Sequence, residues 1–489
     1  MNLLFTNTLK KMNKSILYQV GFLTWISLSL WSCKAPQATL TEDSKIKLPS
    51  AYNKESDTLN SGLAPWKQFF TDSHLTALIE EGLKNNQELL ITLQEIEVAK
   101  NDVLRQKGKL APKVGAGLGT GLEKVGRYTS QGAGDAGTEM EKGVKVPENI
   151  GDFSGTISAS WEIDMWGKLH HAKEAAVKRY LGTVEGKNKV LSVLIAEIAT
   201  SYYELLALDN QLDLTLQYIE LQKKALEIVV IQKQAARGTA LGVKKFEGEL
   251  LKAQSIEFGI RQEITETENR INVLLGRYPQ PIVREKDTFM DLVPTAIKTG
   301  IPSQLLSNRP DIKQAELELE AAQLDVKVAQ AEFYPSLEIS AAVGLNAFKP
   351  SYLIKVPESV MYSVVGELAA PLINKSAIKA EFNTANARQI QALYEYDKTL
   401  LNAYLDVANQ MANIENMQHA FEYKKKETQT LSEAVGIANE LFKSSRADYL
   451  EVLMTQREAM DAKIELIEAK SKQLIGVVDI YKSLGGGWK

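Results

Sequence analysis

The segment 312–333 carries two hydrophobic seams on one predicted helix. One seam runs from Ile312 to Phe333 at alternating steps of three and four residues, and a second runs from Leu317 to Ala331 on another face. Charged and amide residues fill the positions between them. An ordinary amphipathic helix has one apolar stripe, and a coiled coil has one a/d seam. Two seams therefore predict a helix packed between two neighbours. Such helices occur in a closed tube with polar inner and outer surfaces, or in the middle of a bundle with solvent at its edges.

Four other segments alternate apolar residues with polar or small ones, as a β-strand with two unlike faces does. They are 114–123, 153–165, 336–346 and 360–368. Each is about ten residues long, the length of a tilted strand that crosses a bilayer. The glycines from Gly115 to Gly121 alternate strictly, so they form the small face of a strand and lack nucleotide-binding spacing. A soluble four-stranded sheet is the alternative, because alternation alone does not distinguish the two.

The chain is internally duplicated. A helical stretch ends at Ala111-Pro112 and another at Tyr334-Pro335, and each precedes a β-hairpin and a long helical hairpin. In the first long helix, Ser201, Thr215 and Gln222 interrupt an apolar heptad register. The predicted parts are a signal peptide (1–32), a tether (33–65), a first repeat (66–276, with β-hairpin 112–165 and helical hairpin 167–276), a linker (277–302) and a second repeat (303–489, with β-hairpin 335–371 and helical hairpin 373–484).

Four strands cannot close a barrel by themselves. Strands in a membrane must close to satisfy their edges, so several chains must share one barrel. Three chains would supply twelve strands, above the roughly eight of the smallest membrane barrels.

The N-terminus is typical of a bacterial lipoprotein signal. Lysines at 10, 11 and 14 precede an apolar stretch over 16–30, and Cys33 follows it as the only cysteine of the chain. We expect Cys33 to carry lipid, with Met1 or Met12 as the true start. An uncleaved anchor helix is the alternative, although the stretch is shorter than the roughly 20 residues that span a bilayer.

Composition and motifs argue against several classes of function. The formal net charge is −4 and the basic residues are dispersed, which argues against a nucleic-acid partner. The four histidines form no HExxH pair, and neither a P-loop nor a nucleophile elbow is present. We therefore predict no enzyme, no cofactor and no metal site.

Several motifs resemble one family. The run from Gly300 to Ile312 (GIPSQLLSNRPDI), the segment Ala331–Ser336 (AEFYPS), the segment Trp161–Gly167 (WEIDMWG) and the ending Leu484–Trp488 (LGGGW) are similar to the TolC-like outer-membrane factors of the NodT lipoprotein subgroup. The resemblance covers nearly the whole chain from about Trp66. It implies an α+β membrane protein, in which a homotrimeric twelve-stranded β-barrel in the bacterial outer membrane continues into a periplasmic α-helical barrel. A periplasmic adaptor and an inner-membrane RND-type pump are the implied partners.

The function expected from these features is passive conduction of drugs or other small molecules to the exterior. The helical turns are the places where a tube of straight helices could narrow, and Arg237, Arg446 and Asp448 are their charged residues. In the resembled family, side chains near these turns form latches and contact the adaptor. A non-conducting coiled-coil envelope lipoprotein is the alternative function. The sequence identifies neither the cargo nor the class of pump.

Overall fold

The computed structural model describes residues 46–52, 58–371, 375–444 and 446–489. Its long helices are α1 (Ser73–Asn85), α2 (Gln87–Lys109), α3 (Lys168–Gln234), α4 (Ala240–Leu274), α5 (Pro310–Ala331), α6 (Ser376–Lys443) and α7 (Tyr449–Ser483). Short helical segments cover Ser61–Leu63, Trp66–Phe69, Ser130–Asp135, Phe289–Asp291, Pro302–Gln304, Leu305–Asn308 and Pro350–Leu353. The described residues divide into two compact units, which we call the sheet unit (99–180 and 318–392) and the helical unit (46–98, 181–317 and 393–489).

The sheet unit contains one four-stranded antiparallel sheet. Its strands are β1 (Lys113–Glu123), β2 (Ile150–Ile163), β3 (Ser336–Ala347) and β4 (Val360–Ala369), in the order β1-β2-β3-β4. The strands predicted from alternation are confirmed. A ribbon that was not predicted, Glu139–Glu141 paired with Val144–Lys145, lies between β1 and β2 in the chain.

The helical unit has its largest core around α3. Ile198, Tyr202 and Leu205 are fully buried there with Leu75 and Ile79 of α1. By length and composition α3 is the one described helix that could cross a membrane, yet 61% of its most apolar window is buried inside the chain. Its apolar residues are therefore largely used for packing.

Helix α5 lies between α3 and α6, as its two seams predict. On one side Leu317 of α5 lies near Gly182 of α3, where an added Cβ would be 3.8 Å from the Leu317 side chain. On the other side Ile312 is buried with Leu400 of α6. Both neighbours predicted for this helix are therefore present within a single chain.

Arg309, in the motif before α5, fixes the start of that helix. Its side chain is only 11% exposed, and its Nη2 and Nε donate to Asp311 at 2.7 and 3.0 Å. Its Nη1 donates to Asp406 of α6 and to the carbonyl of Ser483 at the end of α7, both at 3.1 Å. Burial alone would raise the pKa of Asp311, but its bonds to Arg309 hold that pKa below the ordinary value. The motif thus joins three helices.

The N-terminal segment differs from the predicted extended tether over residues 58–65. Asn60 pairs with Thr299 as an isolated bridge, and Ser61 N–H donates to Lys298 O at 2.7 Å. Gln304 Nε2 donates to Thr58 O at 2.9 Å. Contacts with residues more than 230 positions away in the chain hold this segment in place.

Candidate functional site

Most of the large apolar side chains of the four strands lie on one face of the sheet, and only Ile150, Met361 and Val365 of these strands lie on the other. Residues directly opposite each other in antiparallel strands point to the same face, and the register aligns Ala116, Ile157, Val343 and Tyr362 in one row across β1 to β4. Ile157, Val343 and Tyr362 are 56%, 52% and 82% exposed. A soluble sheet would bury such a face, so this one is built to contact an apolar medium or partner.

Small and polar residues make up most of the opposite face. The neighbouring row holds Gly115, Ser158, Ala342 and Ser363. None of these side chains is large enough to project far from the sheet. If this face surrounds a lumen, the bore at this level is wide.

Aromatic residues mark the two ends of the apolar face. Phe153 and Trp161 stand eight positions apart in β2, which corresponds to a height of about 20 Å at about 3.4 Å per residue and a tilt of about 40°. The indole N–H of Trp161 donates to Leu110 O at 3.1 Å, and that of Trp166 donates to Pro335 O at 2.7 Å. The band approaches the roughly 25 Å apolar height of outer-membrane barrels, which have aromatic girdles at both interfaces.

The outer edges of β1 and β4 have no strand partner among the described residues. An open edge exposes a row of unpaired backbone N–H and C=O groups. In a membrane such groups must be paired. Pairing both edges in a membrane would need strands beyond the four of this sheet.

A row of carboxylates crosses three strands on the polar face. Glu162 stands opposite Glu338, and Glu338 opposite Glu367. Like charges directly opposite each other repel, and Lys168 Nζ offsets part of this with contacts to Glu162 at 2.5 Å and Glu332 at 3.5 Å. This row of carboxylates was not predicted from the sequence, because the alignment of three separated strands requires their register.

The two helical turns have matching local structure. Arg237 N–H donates to Gln232 O, and Arg446 N–H donates to Leu441 O, each at 2.8 Å. Such i to i−5 bonds close the ends of α3 and α6 in the manner of a Schellman motif. Both arginines lie in the turns that follow α3 and α6, and their role there stays a prediction.

Asp448 caps the following helix. Its Oδ1 accepts the N–H groups of Leu450 and Glu451 at 2.7 and 3.0 Å, and Glu451 accepts the N–H of Asp448 in return. Thr239 caps α4 in the corresponding position of the first turn. The sequence already contained this capping-box signal, a capping residue followed three positions later by glutamate.

Tyr449 connects the two turns and was not predicted from the sequence. A Cβ added to Gly242 would lie 3.2 Å from the Tyr449 ring, so the ring packs directly on that glycine. The Tyr449 hydroxyl lies 3.5 Å from Thr239 Oγ1. The glycine near the start of α4 thus makes room for the aromatic residue at the start of α7.

No group of three or more histidine, cysteine, aspartate or glutamate side chains in the described ranges could hold a metal ion. Cys33, the predicted lipidation site, lies outside the described residues.

This chain is similar to one protein family and to several individual proteins, in sequence and in structure. The family model described as outer membrane efflux protein matches residues 78–277 and 301–486. The pyoverdine export outer membrane protein OpmQ of Pseudomonas aeruginosa is 27% identical over 94% of this chain and 95% of its own length. The cation efflux system protein CusC of Escherichia coli O6:H1 is 24% identical over 95% and 98%. The crystal structure of a membrane protein from Pseudomonas aeruginosa superposes with a TM-score of 0.83, at 23% identity over 92% of this chain and 99% of that one.

Proposed function

Because this chain belongs to the outer membrane efflux protein family, we propose that it forms the passive exit duct of a tripartite efflux system. It is an outer-membrane component of an efflux pump, and in the proposed assembly it receives small molecules from an inner-membrane RND-type pump through a periplasmic adaptor. Its relatives are named for unlike cargoes, pyoverdine and cations. This supports a duct whose cargo is selected by the pump rather than by the wall.

The observation that carries the proposal is the open-edged sheet with an exposed apolar face. With order β1-β2-β3-β4 and antiparallel pairing throughout, β4 runs antiparallel to β1. Copies joined edge to edge therefore keep the alternation and can close a barrel. Three copies give twelve strands, with the apolar face toward lipid and the small polar face toward the lumen.

Disulfide cross-linking tests this closure directly. In a Cys33→Ser background, a cysteine at Leu118 of β1 is combined in turn with cysteines at Tyr362, Val364 and Gly366 of β4. At least one pair should yield cross-linked trimers in outer-membrane vesicles. The matched control pairs Leu118→Cys with Ile339→Cys on β3, a strand bonded on both sides, and should give none. Species no larger than two chains would contradict the trimer.

Conductance of the purified protein in planar bilayers tests the duct. Stepwise, ion-permeable openings are expected, because the proposed lumen is continuous and lined mainly by small, polar and acidic residues. A correctly assembled oligomer that never conducts would favour a structural envelope protein.

We further propose that the turns at 235–239 and 444–448 form the closable periplasmic end and contact the adaptor, through Arg237, Arg446 and Asp448. Both cap bonds of Asp448 go to Oδ1, so Oδ2 takes no part in the cap. Asp448→Ala removes cap and charge together, whereas Asp448→Asn keeps an oxygen for the cap and removes only the charge. If a latch exists, both variants should raise resting conductance, and additional loss of Arg446 should raise it further. A change in Asp448→Ala alone would assign the residue to helix capping.

A further inference from the structure

The polar residues Ser201, Thr215 and Gln222 interrupt the apolar register of α3. Among the hydrogen bonds of the described residues, Gln222 is the one of these three whose side chain bonds to another helix. Thr215, only 1% exposed, donates its hydroxyl to Gln211 O of its own helix at 2.8 Å. Gln222 is 0% exposed, and its Nε2 donates to Oε1 of Gln456 on α7 at 3.1 Å. The interruption at Gln222 is therefore an interhelical contact.

The contact belongs to a polar layer that crosses three helices. Tyr218, one turn earlier on α3, donates its hydroxyl to Glu249 of α4 at 3.2 Å. Burial, with the nearby charge of Glu249, raises the pKa of Tyr218, so its hydroxyl remains a donor at physiological pH. We call Tyr218, Gln222, Glu249 and Gln456 the amide layer. The Oε1 atom of Gln222 is buried in this layer without a partner among the described residues, so the layer costs stability that an apolar pair would not.

The amide layer lies between two small apolar clusters. On one side, Ile219, Ala253 and Met460 are buried together with the Tyr218 ring, and partly buried leucines and an isoleucine pack around them. On the side of the turns, Val229, Phe246 and Leu453 are buried together, and four partly buried residues pack around them. The last part of α6, 429–443, contains no buried residue in this chain. Few buried contacts give a segment low local stability, so within a single chain this end of α6 is the most weakly held part of the section beyond the layer.

We propose that the amide layer is the pivot of the helical turns, which keeps α3 in register with α4 and α7 while the thinly packed section beyond it moves. A polar pair at one core position fixes helix register at a cost in stability. Such a pair is useful where the neighbouring section changes its packing while the helices keep their register. The proposal rests on the proposed duct function, in which this section opens and closes the lumen.

The test compares Gln222→Leu/Gln456→Leu with the wild type. The double variant joins the two clusters into one apolar seam. Spin labels on a single cysteine at Lys233, one per chain in a Cys33→Ser background, report distances between turns of the assembled oligomer. The double leucine variant should narrow this distance distribution and lower the frequency of channel opening about tenfold, which corresponds to about 1.4 kcal/mol. Unchanged distances and opening frequency would overturn the proposal.

Two further variants complete the test. Gln222→Leu alone leaves Gln456 buried without its partner, and it should broaden the distances and lower the unfolding temperature; if it fails to fold, the double variant carries the test. Thr215→Val removes a buried hydroxyl that is bonded only within its own helix and should match the wild type. If Thr215→Val narrowed the distances as much as the double variant, the pivot would be wrong. Absence of conductance in the wild type would refute the duct, while the label distances would still decide the pivot.

Discussion

Substitution of two adjacent residues of β2 distinguishes the lipid face from the lumen face. Ile157 lies in the middle of the apolar face, between Ala116 and Val343, and is 56% exposed. Ser158 is its chain neighbour on the opposite face, between Gly115 and Ala342. Arginine at either position adds the same side chain to the same strand, so that a difference between the two variants reports only the environment of each face.

The expected cost follows from the depth of Ile157. It stands four positions from Phe153 and four from Trp161, which is about 10 Å in height from each for a strand tilted by about 40°. Ile157 therefore lies close to the middle of the apolar band, where arginine on the lipid face of a barrel costs about 2–4 kcal/mol. At about 1.4 kcal/mol per factor of ten, each chain loses roughly 30-fold to several-hundred-fold in its equilibrium for insertion.

The assay is the amount of heat-modifiable oligomer in outer-membrane fractions. Ile157→Arg should strongly reduce it, whereas Ser158→Arg should assemble at wild-type level and lower single-channel conductance, because three added cations would narrow the lumen. Equal assembly defects would mean that both faces are buried in protein and would refute the assignment of lipid and lumen.

Lipidation of Cys33, the ion pair of Asp311 and the backbone conformation of Gly485 each give a testable outcome. Mass spectrometry of the mature N-terminus should find lipid on Cys33, and an unmodified N-terminus would contradict this. The Cys33→Ser variant should lose the lipid but still assemble, since a closed barrel holds itself in the bilayer. The pKa of Asp311 is lower in the folded state than in the unfolded state, so its ionised carboxylate stabilises the fold above the unfolded pKa of about 3.9, and this stability is lost as pH falls through the folded pKa. Asp311→Asn should therefore lower the unfolding temperature at neutral pH and make that temperature fall less steeply in acid. Gly485→Ala should lower that temperature at all pH values, because Gly485 has φ +86° and an added Cβ would lie 2.5 Å from Asn308 O; unchanged melting would refute the strain.

The periodic elements could be predicted from the sequence because each bears its own pattern. The first helical hairpin was expected to begin at residue 167, and its first helix α3 spans Lys168–Gln234. Every predicted strand is present. The small helix Ser130–Asp135 and the ribbon that follows it have no such pattern. The ribbon carries Glu141, which pairs with Lys355 of the loop between β3 and β4 at 2.5 Å, and a contact between loops this far apart has no signal in local sequence.

The candidate site was only partly predictable for the same reason. The residues of the turns were found, since glycine, serine and charge mark a break between two long helices. Their local roles were not, because the packing of Tyr449 against Gly242 and the bond from Gln222 to Gln456 depend on the alignment of separate helices. The row of Glu162, Glu338 and Glu367 similarly required the register of three strands.

The two kinds of exposed apolar surface in this chain call for different partners. Across the four strands, the apolar face contains no charged residue, as a surface in contact with lipid tails requires. Helix α2 also exposes large apolar side chains, 41–70% exposed: Leu90, Ile91, Leu93, Val98 and Leu104. These alternate with acidic and basic residues at Glu88, Glu95, Lys100 and Asp102, which lipid tails would exclude but a second protein surface can pair. We infer that α2 is covered by another copy of the chain, so association would extend beyond the strands and bury helices that a single chain leaves open.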